Sequence, residues 1–72
     1  MPITDQQLDH WFSYHPPSPE RALVYAELRK AALAFAQVIV ASTPPSADQS
    51  AAVRLVREAV MTANAAIACE GR

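Results

Sequence analysis

The chain has 72 residues, a formal net charge of −1 and one cysteine, Cys69. A chain this short buries only roughly 60% of its unfolded surface, so a lone monomeric core is marginal. A disulfide within the chain is excluded, no zinc-ligand spacing is present, and oligomerisation is the expected support. The near-neutral balance argues against duplex nucleic acid, which recruits a basic face. A single cysteine with no signal peptide ahead of it fits a cytoplasmic setting. The longest uncharged stretch, Ala31 to Ala47, is interrupted by Gln37, Ser42, Thr43, Pro44 and Pro45, so no membrane span is expected.

The first predicted element is a short helix over 4–12, opened by a capping box of Thr4 with Gln7. A proline-rich lead-in over 13–18 follows, containing Tyr14, His15, Pro16, Pro17 and Ser18. Proline lacks an amide hydrogen and clashes with the preceding turn, so no helix forms there. Ser18, Pro19 and Glu20 then make a strong start: a capping oxygen, a pre-set first position and an acid at the positive end. The second helix is expected over 19–42, ending before Thr43-Pro44-Pro45. A second capping box, Ser46 with Gln49, opens a third helix over 47–69, with Gly71 beyond its end. The short connection favours an antiparallel hairpin with arms on the order of 35 Å long. No strand pattern appears. The expected fold is all-α: one domain over 1–72, a short N-terminal helix plus a long antiparallel hairpin, assembling as a homo-oligomer.

Two apolar stripes run along each long helix. In the second helix Tyr25, Leu28, Ala32, Phe35 and Ile39 form one, and Ala22, Ala26, Leu33, Ala36 and Val40 another. In the third, Val53, Val56, Val60, Ala63 and Ile67 form one, and Leu55, Ala59, Thr62 and Ala66 the second. Two helices packed together hide one stripe apiece. The remainder marks a protein–protein contact, and the partner expected is a second copy of the chain.

Chemistry-bearing residues are few. No Ser-His-acid set has a workable spacing, and no glycine-rich phosphate loop is possible with Gly71 as the only glycine, so no enzyme and no cofactor are expected. His10 and His15 fall on either side of a helix end, where no single face presents both; they read as surface or capping residues, and no metal site is expected. Tyr14 has two readings: a hydrophobic staple onto Leu23, or a stacking platform for a flat ring. Trp11 and Phe12 read as packing residues. Lys30 can pair with Glu27, and Arg54 with Glu58. Arg57 reads as solvated. Arg29 has no acid at helical spacing and sits among apolar positions, which makes it the best anion-binding candidate. Asn64, among small residues, is expected to make an interhelical hydrogen bond.

The motif Tyr14-His15-Pro16-Pro17-Ser18-Pro19-Glu20, then Leu28-Arg29, then Glu58-Ala59-Val60-Met61-Thr62-Ala63-Asn64-Ala65-Ala66-Ile67-Ala68, resembles the hairpin domain of phage anti-CBASS sponges and the related anti-Thoeris sponges. The likeness covers about residues 12 to 69. It implies a homohexamer holding cyclic di- or trinucleotides, such as cyclic GMP-AMP, in pockets between subunits without cleaving them. It also implies that host anti-phage signalling is blocked. By this resemblance Tyr14 stands at the base-stacking tyrosine and Arg29 at a basic residue that reaches phosphate. The candidate ligand-binding set is Tyr14, Arg29, His15, Pro16 and Lys30. Ala63 to Ala68 carry no basic residue, so no second phosphate site is placed there. The competing reading is a helical-hairpin oligomer that docks on another protein and binds no nucleotide. A DNA-binding role is weaker, because neither charge nor helix spacing suits a recognition helix.

Overall fold

A computed structural model describes residues 2–72, which form three helices and, among the described residues, no strand. Helix α1 spans Asp5–Trp11, α2 spans Pro19–Ser42 and α3 spans Ala47–Ala68. Each begins on a side-chain cap. At α1 the Thr4 hydroxyl accepts from the Gln7 amide at 3.1 Å, and the Thr4 amide donates to Gln7 Oε1 at 2.9 Å. At α2 the Ser18 hydroxyl accepts from the Arg21 amide, with Pro19 at the first helical position.

The third cap differs from a reciprocal box. Ser46 Oγ accepts from the Gln49 amide at 3.1 Å, but the Gln49 side chain turns the other way. Its Nε2 donates to the carbonyls of Val40 and Thr43 and to Thr43 Oγ1, at 3.3, 3.0 and 3.2 Å. Gln49 therefore satisfies orphan carbonyls at the end of α2 rather than its own N-terminus. One side chain closes the hairpin from both helices.

Helix α3 ends in a Schellman motif: the Gly71 amide donates to the Ala66 carbonyl at 2.9 Å and the Glu70 amide to Ile67 at 3.2 Å. The left-handed position that usually holds glycine is Glu70, at φ 56°; Gly71 follows at φ 74°. A non-glycine residue there costs about 1 kcal/mol.

The seam between α2 and α3 is half-buried. It contains Tyr25, Leu28, Ala32, Ala36 and Ile39 from α2, and Val53, Val56, Val60, Ala63 and Ile67 from α3. Ala36 takes the place expected for Phe35, whose ring is 59% exposed. The half-buried positions advance by four residues from Ala32 to Ala36, which leaves Phe35 beside the seam instead of in it. Among the described residues only Cys69, 9% exposed, counts as buried. Leu23, Leu33, Phe35, Val38 and Leu55 are all well over half exposed. The radius of gyration is 15.5 Å, against about 11 Å for a compact globule of this length. A chain of this shape has a seam but no interior.

Helix α1 is tied to the far end of the chain. Trp11 Nε1–H donates to the Arg72 carbonyl at 2.7 Å, and His10 Nε2 to the Cys69 carbonyl at 2.9 Å. Trp11 is thereby partly packed, whereas Phe12, expected to pack, is 85% exposed. Asn64 also departs from expectation: its Oδ1 is buried with no hydrogen-bond partner.

Candidate functional site

The hairpin presents a groove on each side of its seam. The first, about 710 Å³, is lined by Ala26, Leu33, Val53, Val60 and Met61, with Arg29 and Lys30 from α2 and Arg57 from α3. Three cations and no acid line it, over an apolar floor, an arrangement suited to an anion that also carries apolar surface. Among the described residues, none of the three lies within ion-pair distance of a carboxylate. The pairs expected for Lys30 with Glu27 and for Arg54 with Glu58 do not form. Both cations instead remain exposed on the helix surface, where such pairs are worth a few tenths of a kcal/mol (~0.3–0.5) and are easily given up. Arg57, read from sequence as merely solvated, belongs to this groove. Hairpin register held the signal: counting equally outward from Pro44 and Pro45 puts Arg29 level with Val60, one turn from Arg57.

The second groove, about 740 Å³, is lined by apolar side chains alone, among them Leu28, Phe35, Ile39, Leu55, Ala59 and Ala63. It offers nothing to a polar ligand and a continuous surface to another apolar face.

Tyr14 lines neither groove and is 84% exposed. The staple onto Leu23 does not form within the chain, since Leu23 is itself 70% exposed. Pro16 is exposed beside it, while His15 is half-buried. The stiff lead-in thus holds a free aromatic face away from its own hairpin. Arg29 lies ten residues along α2 from Pro19, about 15 Å of helix rise. The structure brings Arg29 and Lys30 together with Arg57, and leaves Tyr14, His15 and Pro16 at the hairpin's open end.

The two histidines sit at helix-end carbonyls, in keeping with a capping role, and they also meet each other, which their spacing did not indicate. His15 Nε2 donates to the His10 carbonyl at 2.6 Å, and the rings meet edge to face with centroids 4.8 Å apart. The chain breaks out of α1 at Phe12, and the lead-in bends back so that His15 covers His10. No single helical face was needed. Near them, Glu70 pairs with Arg21 at 3.0 Å and Arg72 at 3.2 Å. The Arg21 hydrogen bond and charge, then the Arg72 charge, hold the exposed Glu70 carboxyl below the usual glutamate range.

Among the described residues, no helix is long and apolar enough to cross a membrane. The family model described as "Acb2/Tad1, hairpin domain" matches residues 4–68, from the cap of α1 to the last residue of α3. The match therefore takes in the short first helix as well as the hairpin. Comparison with curated proteins and with solved structures finds no match.

Proposed function

The chain belongs to the Acb2/Tad1 hairpin-domain family, and from that premise we propose that it is a sponge for cyclic oligonucleotide immune signals. It binds cyclic dinucleotides such as cyclic GMP-AMP, holds them uncleaved in the host cytoplasm, and so blocks anti-phage signalling on behalf of a phage. Tyr14 stacks on a base, and Arg29 and Lys30 reach phosphate, with His15 and Pro16 holding the aromatic in place. The observation that carries this reading is the cationic, acid-free groove of Arg29, Lys30 and Arg57 on a protomer that also holds Tyr14 free. Stacking is worth roughly 1–3 kcal/mol per base, and a guanidinium matches phosphate oxygens in a water-poor pocket.

Tyr14 and Arg29 line no common groove within one chain, so a neighbouring copy completes the pocket. The homo-oligomer, a hexamer by family likeness, forms through the apolar faces that the hairpin leaves open. A preformed intersubunit site lowers the ordering cost of binding and gives tight sequestration.

The test is a panel of cyclic di- and trinucleotides and cyclic ADP-ribose isomers, followed by thermal shift. A clear rise in melting temperature is expected with a dinucleotide, and the ligand should be recovered intact after denaturation. No shift across the panel would overturn the proposal. A second reading, a protein-docking hairpin without a nucleotide ligand, is favoured by the wholly apolar groove around Leu28, Phe35 and Leu55. Capture of a defined protein partner together with indifference to nucleotides would select it.

A further inference from the structure

His10 from α1, His15 from the lead-in and Cys69 from the cap of α3 meet at one point. One nitrogen of each ring and the Cys69 Sγ lie within 4.8 Å of one another. All three groups are at least half withdrawn from solvent, Cys69 the most, at 9% exposed.

The hydrogen bonds fix the proton on each ring. Both Nε2 atoms face backbone carbonyls, those of Cys69 and His10, and a carbonyl only accepts. Each Nε2 therefore carries its hydrogen in the neutral ring, which leaves Nδ1 as the nitrogen that would have to bind a metal. Metal-ligating histidines are held in this way, with the other nitrogen donating to a carbonyl that orients the ring.

We propose that His10, His15 and Cys69 form a binding site for a thiophilic transition-metal cation, with Zn²⁺ as the expected ion. Two imidazoles and a thiolate suit Zn²⁺, and softer thiolate-seeking ions, far better than Mg²⁺ or Ca²⁺. Tetrahedral bonds of about 2.0–2.3 Å place ligand atoms ~3.5 Å apart, so on this proposal the three groups draw together when the ion binds. Binding forms two metal–nitrogen bonds and one metal–sulfur bond and expels the Cys69 thiol proton to solvent, with nothing oxidised or reduced. The fourth position is left to water. The ion would join three separate parts of the chain at the residue next to Tyr14, fixing the lead-in to both α1 and α3. The site stands independently of the nucleotide reading.

The test uses untagged full-length protein stripped with a chelator and titrated with Co²⁺, then with Zn²⁺. Expected are visible d–d bands, a thiolate-to-cobalt charge-transfer band saturating at one ion per chain, and displacement by Zn²⁺. Zn²⁺ should raise the melting temperature by about 5 °C or more at saturation. Cys69→Ser should abolish the charge-transfer band, and His10→Gln should weaken affinity at least tenfold. Far-UV circular dichroism and oligomer mass check that each variant folds; wild-type spectra alone decide the case if one does not. Absence of the charge-transfer band from wild-type protein, or equal Zn²⁺ affinity in folded Cys69→Ser, would overturn the proposal.

Discussion

Arg21 and Glu70 meet at 3.0 Å, joining the first turn of α2 to the cap of α3 at the open end of the hairpin. The opposite end is closed by Gln49 and the Pro44-Pro45 turn, and this pair is an exposed charged contact between the two helices at the open end. Its carboxylate is held below the usual glutamate range by Arg21 and Arg72. The folded value is therefore lower than the unfolded one, near 4.3. Its stabilisation is complete above that pH and is lost as the pH falls below it. Glu70→Gln should thus melt slightly below wild type at neutral pH, and the difference should vanish as acid protonates the wild-type carboxylate. The difference should also shrink in high salt, because the pair is exposed. Melting curves across pH and salt check both.

Gln49 offers a sharper test of the hairpin. Its side-chain amide serves the Val40 and Thr43 carbonyls and the Thr43 hydroxyl at the end of α2. Gln49→Ala leaves the Ser46 cap to the backbone amide intact and strips these acceptors. A loss of roughly 0.5–1.5 kcal/mol is expected, seen as a melting-temperature drop of several degrees. Gln49→Glu should not rescue it, since a carboxylate cannot donate to carbonyls.

Tyr14 and the groove cations should separate in their effects. Tyr14→Ala removes an 84% exposed ring, so folding and oligomer mass should be unchanged while nucleotide affinity falls at least tenfold, about 1.4 kcal/mol. Arg29→Ala should do the same through phosphate. Isothermal titration with a cyclic dinucleotide measures both. Loss of folding in Tyr14→Ala would instead assign the ring a packing role.

Arg57 faces the same groove from α3. Arg57→Ala should weaken anion binding and reduce its salt dependence, whereas Arg54→Ala, outside that groove, should leave both unchanged. Titrations at two ionic strengths distinguish the two arginines.

The wholly apolar groove supplies the test of self-association. Phe35→Asp or Leu55→Asp puts a charge on a face that is 59% or 64% exposed in the protomer. An exposed position tolerates such a change, so a protein that stayed monomeric would barely respond. Within an oligomer interface the same charge is desolvated and costs several kcal/mol. The expected outcome is a smaller mass in sedimentation, with helicity reduced as the seam loses its cover.

Much of the helical architecture was legible from local chemistry. Thr4 with Gln7, Ser18 with Pro19, and Ser46 with Gln49 each announce a helix start, and the break at Thr43-Pro44-Pro45 leaves little choice of connection. What sequence missed are contacts between distant residues. Gln49 turned to the neighbouring helix end instead of its own cap. His10 and His15 met because the lead-in bends back, a path that helical spacing does not describe. Glu70 takes the first left-handed place after α3, one residue before the Gly71 that marks the helix end in the sequence. At the candidate site, Arg29 could be singled out by its lack of an acidic neighbour, but Arg57 needed the register of the hairpin. The pairs Glu27–Lys30 and Arg54–Glu58 failed for the opposite reason: spacing permits them, yet two solvated side chains gain too little to hold one geometry.

The most direct measurement is native mass spectrometry of the purified chain with and without cyclic GMP-AMP. The expected result is one discrete homo-oligomer that takes up intact nucleotide in a fixed ratio, with uptake lost in Tyr14→Ala and Arg29→Ala at unchanged protein mass. A monomer, or an oligomer that carries no nucleotide at saturating concentration, would contradict it.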